Sequence, residues 1–168
     1  MKFSILIANY NNGHFFSDCY CSIINQSYQN WEVIIVDDCS TDNSVAMIQQ
    51  IIGEDSRFKL FLNEANKGCG YTKNKCASIA NGQILGFLDP DDALKTNALF
   101  LMVSAHIEMP DISLISSRFV LVDLNMNFKE KSSQGNNIPE RKSYLTSKQG
   151  LVTHFASFKN ESYRKTIG

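Results

Sequence analysis

The sequence predicts an α/β fold, a mainly parallel sheet with helices on both faces, because short apolar strand-like runs alternate along it with helical repeats. Two further observations support this. Three of the strand-like runs pass directly into polar or acidic segments, at 9–12, 37–42 and 89–92. Loops at the carboxyl edge of a parallel sheet take that place, and ligands bind there. The length of 168 residues, 43% of them apolar, suits one domain with a single sizeable core and is too short for two comfortable ones.

The elements come in order. Phe3 to Ala8 is a continuous apolar run broken only by Ser4, hence a buried strand, and Asn9 to Gly13 is its loop. Phe16, Cys19, Tyr20, Ile23 and Ile24 recur at helical spacing and predict a helix from about Phe15 to Gln26. Trp31 to Val36 is a second strand that runs straight into Asp37-Asp38. Ser40-Thr41-Asp42-Asn43 is rich in helix-starting residues, Val45, Ile48, Ile51 and Ile52 mark the helix, and Gly53 stops it. Phe58 to Leu62 is a third strand, and 66–70 a glycine-bearing loop. A helix succeeds it from about Tyr71 to Asn81, with Gly82 expected to close it as a left-handed residue. Ile84 to Leu88 is a fourth strand entering Asp89-Pro90-Asp91-Asp92. Leu99, Met102, Val103 and Ile107 predict a helix ended by Pro110, and 112–116 and 119–122 read as further strands. Residues 123–143 are polar and predict a mobile surface excursion. Leu151 to Phe158 reads as a strand, and Asn160-Glu161 as the start of a short helix ending at Gly168.

Charge and cysteine usage narrow the function classes. A formal net charge of −1 lacks the basic surplus a nucleic-acid binder needs. No apolar run approaches the roughly 18 residues of a bilayer span, and the first apolar run, polar again at Asn9, is too short for a secretory leader. The five cysteines, at 19, 21, 39, 69 and 76, are odd in number and form no C-x-x-C pair. They read as reduced thiols of a cytoplasmic protein, most of them acting as small buried hydrophobes. Neither G-x-G-x-x-G after the first strand nor G-x-x-x-x-G-K-[ST] occurs, which sets aside the dinucleotide and P-loop phosphate sites.

If the three acidic or polar loops share one sheet edge, up to five carboxylates (Asp37, Asp38, Asp89, Asp91 and Asp92) crowd it. Like charges so placed repel unless a cation sits between them. A divalent ion meets that need. Mg²⁺ or Mn²⁺ takes one or two carboxylates and completes its shell with phosphate oxygens, so a metal-bound diphosphate suits the rim. Pro90 stiffens the turn and lets Asp89 and Asp91 face one point. Plainer readings stand beside these. The tetrapeptide would serve equally to cap a helix starting near Lys95, and one of Asp37 and Asp38 to fix a turn. Lys67 and Lys73 flank the glycine loop and reach a phosphate, or are solvated. Tyr10 stacks on a base or ribose, or packs. His14 and His106 show no ligand spacing, His106 reads as structural, and His154 is a weak candidate.

These residues resemble the family 2 glycosyltransferases, whose catalytic domain has the GT-A fold. The matching segments are Ser4-Ile5-Leu6-Ile7-Ala8-Asn9-Tyr10-Asn11, then 26–42 with Val36-Asp37-Asp38-Cys39-Ser40-Thr41-Asp42, then Asn66-Lys67-Gly68 with Lys73-Asn74, and 80–92 ending Phe87-Leu88-Asp89-Pro90-Asp91-Asp92. They come in the family's order and cover 3–92 almost continuously; beyond 92 the likeness is looser. The resemblance implies that Ala8 and Tyr10 line a nucleotide pocket and that Asp38 hydrogen-bonds the base, commonly uracil. Lys73 stands near the base or diphosphate where the family often has arginine, keeping the charge and losing the planar fork. Asp89 and Asp91 match the D-x-D motif. Asp91 is then the main ligand of Mn²⁺ or Mg²⁺, Asp89 contacts ribose or a metal-bound water, and Asp92 supports the turn.

The implied reaction moves a sugar, usually with inversion, from a nucleotide-diphosphate-sugar, most commonly a UDP-sugar, to an acceptor hydroxyl on a glycan or lipid-linked molecule. The implied setting is polysaccharide or glycan biosynthesis, cytoplasmic or peripheral at the membrane, with no nucleic acid and no transmembrane segment in this chain. The resemblance also divides the single GT-A-like domain, 1–168, into a nucleotide-sugar-binding half, 1–110, and the start of an acceptor-side half, 111–168. The family's general base lies in a later acidic motif that no residue through Gly168 matches. The expectation is a fragment that binds metal and nucleotide and transfers sugar poorly. A non-catalytic nucleotide-sugar binder is the main rival. A receiver-like Mg²⁺-binding signalling domain built on Asp37-Asp38 leaves 3–30 without a role, and a phosphatase with Asp89 as nucleophile lacks the expected residue at Ala93.

Overall fold

A computed structural model describes residues 1–123, 126–132 and 155–166. Along the chain come β1 (Phe3–Asn9), α1 (Phe16–Ile24), β2 (Trp31–Asp37), α2 (Ser44–Ile52), β3 (Phe58–Leu62), α3 (Cys69–Ile79), β4 (Ile84–Phe87), α4 (Ala98–Glu108), β5 (Leu114–Ser116), β6 (Val120–Val122), β7 (Phe128–Lys131), β8 (Ala156–Lys159) and α5 (Asn160–Tyr163). A 3-10 turn at Gly13–Phe15 leads into α1. Six strands form one sheet in the order β3-β2-β1-β4-β8-β5. β1 pairs in parallel with both β2 and β4, and β2 with β3, while β8 runs antiparallel between β4 and β5. The predicted mainly parallel sheet is therefore present, with one reversed strand.

The period of two along the strands divides the core between the sheet's faces. Phe3, Ile5 and Ile7 of β1 and Trp31, Val33 and Ile35 of β2 face α1, α2 and α4, where Phe16, Ile23, Ile48, Leu99 and Val103 meet them. Leu6, Ile34, Val36 and Leu85 face the other way, against Cys76, Ala77 and Ala80 at the end of α3. Each fully buried Ile, Leu or Phe contributes about 1.5–3 kcal/mol, so burial on two faces of β1 and β2 makes this the rigid part of the molecule.

Strand order carries the functional consequence. From β1 the chain builds outward to β2 and β3 on one side and begins again with β4 on the other. Open α/β sheets bind ligands in the crevice at such a reversal, outside the carboxyl ends of the strands. Here that crevice lies between Asn9, which ends β1, and the turn after β4.

Several expectations change in detail. Gly82 does not end α3: Ala80 does, in extended backbone (φ −64°, ψ 141°). A Cβ on Gly82 would sit 2.6 Å from Ser4 Oγ, to which the Gly82 N–H donates, so glycine is required by close approach to β1. Ile107 turns outward, and His106 takes the inward place, its Nε2 3.0 Å from Ser157 Oγ on β8. Part of the expected 123–143 excursion is a hairpin, since β7 pairs antiparallel with β6; 133–143 lie outside the described residues. So do 151–154 of the last predicted strand, with His154, and the end of the last helix at 167–168. Of the cysteines only Cys19 and Cys76 are buried; Cys21 and Cys69 are exposed, correcting the expectation of mostly buried thiols.

Candidate functional site

The loops after β1, β2 and β4 meet as the sheet requires, because those strands are adjacent and parallel. The loop between β3 and α3 closes the fourth side. Together they enclose a cavity of about 450 Å³ lined by Ala8, Tyr10, Asp38, Lys73, Asp89 and Asp91 among others. Six of the seven residues expected at the donor site thus share one cavity. Asp92 is absent from the lining; its N–H donates to the Asp89 carbonyl at 3.0 Å and closes the turn. That turn does not cap a helix, for α4 starts only at Ala98, behind Asn97. Tyr10 is 47% exposed, so its ring is open to a ligand and not a packing element.

The two carboxylates after β2 divide their work. Asp37 is buried and faces away from the cavity. Its Oδ2 accepts from Asn9 Nδ2 at 2.7 Å and from Ser40 Oγ at 2.6 Å, and its Oδ1 from the Ser40 N–H at 2.8 Å. Asn11, in left-handed backbone (φ 53°), extends this lacing through its Oδ1, which accepts the Thr41 N–H at 2.8 Å. Asp37 therefore ties the first loop to the second, and the five-carboxylate rim reduces to Asp38, Asp89 and Asp91 within the cavity. A receiver-like metal site on the Asp37-Asp38 pair loses its basis.

Asp38 lines the cavity and holds its far wall. Its Oδ1 accepts from Asn63 Nδ2 at 2.7 Å and from the Lys67 N–H at 2.9 Å, and its Oδ2 from the Gly68 N–H at 2.7 Å. Gly68 has φ +85°, a conformation that glycine adopts at little cost and that aims the amide at the carboxylate. Burial raises the Asp38 pKa, but the hydrogen bonds from Asn63, Lys67 and Gly68 outweigh it and hold the pKa below the usual carboxylate value. Thr72 contributes a further side-chain hydrogen bond to this carboxylate.

Lys73 does not stand apart beside a phosphate position. Its Nζ lies 2.9 Å from Asp89 Oδ1 and 5.6 Å from the centre of the Phe87 ring. Part of the repulsion expected between Asp89 and Asp91 is therefore met by a protein cation. The Lys67 side chain is not part of the lining; its backbone N–H, serving Asp38, is the part of that residue at the site. Behind the turn, burial and the nearby Asp92, Asp91 and Asp89 charges push the Cys19 thiol pKa up, and burial pushes that of Cys76 up to about 12. Both are neutral thiols.

Asn9, Asn12, Asn66, Cys69, Thr72 and Pro90 also line the cavity, and sequence alone assigns them no binding role. The signal for two of them is available in position, since Asn9 ends β1 and Asn66 opens the glycine loop. The roles of Thr72 and Asn63 depend on the hydrogen bond of 3.2 Å between them beneath Asp38, which spans the β3–α3 connection.

Comparison with known proteins places this geometry among relatives. Residues 4–167 match the family model described as Glycosyl transferase family 2. The UDP-Glc:alpha-D-GlcNAc-diphosphoundecaprenol beta-1,3-glucosyltransferase WfgD of Escherichia coli is 33% identical over 122 residues, 73% of this chain and 47% of that protein. The crystal structure of S. aureus TarS 1-349 in complex with UDP-GlcNAc superposes with a TM-score of 0.69 at 19% identity, over 98% of this chain and 47% of that one. The mannosyltransferase PcManGT of Pyrobaculum calidifontis, in complex with GDP-Man and Mn²⁺, gives 0.62 at 18% identity, over 72% and 35%. The two structural likenesses show the fold. The chain spans less than half the length of each of these three proteins.

Proposed function

The chain belongs to glycosyl transferase family 2, with its GT-A fold, and on that premise we propose that the cavity binds a nucleotide-diphosphate-sugar whose sugar passes to an acceptor hydroxyl. One observation carries this reading: Ala8, Tyr10, Asp38, Lys73, Asp89 and Asp91 meet in one cavity at the sheet's point of reversal. Tyr10 offers an open ring to the base, and Asp38 Oδ2 offers an acceptor for the uracil N3–H. The ribose and diphosphate then extend toward Lys73, Asp89 and Asp91. UDP is the favoured nucleotide, in keeping with the UDP-GlcNAc held by TarS and the UDP-Glc in the name of WfgD.

The donor set fits Mg²⁺ or Mn²⁺. Asp89 and Asp91 offer hard carboxylate oxygens on one proline-stiffened turn, and among the described residues no group of three His, Cys, Asp or Glu forms a complete metal cage. An ion that takes two carboxylates and completes its shell from phosphate and water suits such a set. We assign Asp91 as its principal ligand and Asp89 as its second or as the ribose contact. When bound, the ion neutralises charge on the diphosphate leaving group.

Transfer with inversion requires a carboxylate base on the acceptor side. Among the described lining residues, Asp38, Asp89 and Asp91 are the carboxylates, and each already has a role. We assign 1–110 to donor binding and 111–168 to the start of the acceptor side. A glycan or lipid-linked acceptor and a cytoplasmic place, peripheral to a membrane, complete the reading. No described helix is long and apolar enough to cross a membrane.

Thermal unfolding with UDP and Mn²⁺ tests it. A ligand at about 100 times its Kd stabilises by about 2.7 kcal/mol, which for this size raises the Tm by about 8 °C. Asp91→Asn is expected to lose the Mn²⁺-dependent part of that rise and to keep the part that UDP gives in EDTA. No shift with UDP under any condition refutes donor binding.

A further inference from the structure

The Lys73–Asp89 pair sits where, on the donor-site reading above, a metal ion and a diphosphate both need to bind. The backbone that carries Lys73 is fixed in place. The residue projects from α3 next to Thr72, which is buried and bonded to Asn63, and that helix is held to β1 by Cys76, whose Sγ lies 3.4 Å from the Ile7 carbonyl. Asp89 is equally constrained by the turn hydrogen bond from Asp92 and by Pro90. The side chains are 27% and 32% exposed, so the 2.9 Å ion pair is screened less than one at the open surface. A divalent ion approaching Asp89 meets an ammonium already on Oδ1, and the two cations repel at that distance. A diphosphate entering the same cavity brings negative oxygens that accept Lys73 and release Asp89.

We propose, resting on that donor-site reading, that Lys73 is a tethered cation that holds Asp89 until the donor arrives, so that metal alone binds weakly and nucleotide diphosphate and metal bind with positive coupling set by this lysine. Lys73 is thereby a positioning residue with two partners in succession, the Asp89 carboxylate in the free protein and the diphosphate in the loaded one. Burial opposes its charge, but the hydrogen bond and charge of Asp89 outweigh burial and raise its pKa in the free protein, where it is an ammonium. Lysine suits the exchange: it is a compact point charge on a flexible stem, whereas the forked guanidinium of arginine pairs a carboxylate bidentately.

Mn²⁺ binding to the 168-residue protein, followed by loss of the free-ion electron paramagnetic resonance signal, measures this without any turnover. For the wild type, UDP is expected to tighten Mn²⁺ by about tenfold or more, within the usual range of coupling between sites. UDP affinity in EDTA comes from calorimetry. Lys73→Met and Lys73→Gln each remove the charge, and either one that folds carries the test. The expected result is Mn²⁺ alone bound about fivefold tighter or more, UDP alone bound more weakly, and coupling reduced toward none. Lys73→Arg, which keeps the pair, is expected to keep Mn²⁺ alone weak. Unchanged or weaker binding of Mn²⁺ alone by the uncharged variants, with the wild type binding both ligands, overturns the proposal and leaves the donor site intact. Failure of the wild type to bind UDP overturns the donor-site reading itself.

Discussion

Asp38→Ala is expected to remove UDP binding, weakening it by more than about 100-fold, and to lower the Tm by about 9 °C. Three donors set the size of the effect. Asn63 Nδ2, the Lys67 N–H and the Gly68 N–H all converge on this one carboxylate, at 2.7, 2.9 and 2.7 Å. Truncation takes the acceptor from the Lys67 N–H and leaves Asn63 Nδ2 and the Gly68 N–H only their longer bonds, to Thr72 Oγ1 at 3.2 Å and Asn66 Oδ1 at 3.1 Å, in a site where Asp38 itself is 3% exposed. Each unpaired buried donor costs about 1–3 kcal/mol, and partial access of water to the two amides brings the net loss to about 3 kcal/mol. Binding suffers further because Asn66, Gly68 and Cys69 form one wall of the cavity and lose their anchor. Asp38→Asn separates the two effects. It keeps one acceptor oxygen and turns an amide NH₂ toward backbone N–H groups, so the stability loss is smaller while the base contact is still lost. Since the folded-state pKa of Asp38 lies below its ordinary value of 3.8, its stabilisation is full above that pH and disappears as pH falls through the lower value. The Asp38→Ala protein therefore differs most from wild type near neutrality and least in strong acid. Thermal scans and calorimetry check both parts, and retention of UDP affinity within about threefold would sink the assignment of Asp38 to the site.

The same residue shows how much of the site is legible in sequence. Continuous apolar runs followed by Asn9, Asp37 and Asp89 place three loops at one sheet edge on the condition that their strands are adjacent and parallel, a pairing that the sheet order supplies. The identity of the cavity-lining residues comes from that placement and from the family resemblance. The partners that each side chain finds stay hidden. Asp37 and Asp38 are neighbours in sequence and look alike there, yet strand alternation sends one inward to Asn9 and Ser40 and the other toward the cavity. The amides that bind Asp38 come from residues 29 and 30 positions away, so no local pattern announces them. Lys73 likewise reads as a free cation until β4 brings Asp89 beside α3. Gly82 reads as the commonest use of glycine after a helix, while its cause here is the Ser4 hydroxyl across the β1–β4 pair. In each case the missing information is tertiary: a specific side chain facing a specific atom, which helix and strand periodicity do not encode.

Glu32→Ala is expected to destabilise the protein by about 3 kcal/mol, or about 9 °C in Tm, and to leave UDP affinity unchanged. Glu32 lies at the start of β2, the end of the sheet away from the cavity, and is 2% exposed. Its Oε2 is 2.9 Å from Lys2 Nζ and 3.1 Å from Lys59 Nζ, and its Oε1 accepts from Ser4 Oγ and from the Asn81 N–H, both at 2.8 Å. One carboxylate thus joins β1, β2, β3 and the turn after α3. Burial raises its pKa, but these four partners outweigh burial and lower it from 4.5 to about 2. A folded-state pKa below the unfolded one adds stability that is present in full above pH 4.5 and lost as pH falls toward about 2. The gap between wild type and Glu32→Ala should therefore be widest above about pH 5 and narrow steadily below it. Glu32→Gln keeps an acceptor for Ser4 and Asn81 while giving up the charge, and should recover part of the loss, with little remaining dependence on acid. A Glu32→Ala protein that unfolds at the wild-type temperature contradicts this role for the carboxylate. One that is destabilised and also fails to bind UDP at a temperature where it remains folded shows instead that the two ends of the sheet are coupled. The paired results for Asp38 and Glu32 then separate what the carboxyl edge of the sheet does for the ligand from what the amino edge does for the fold.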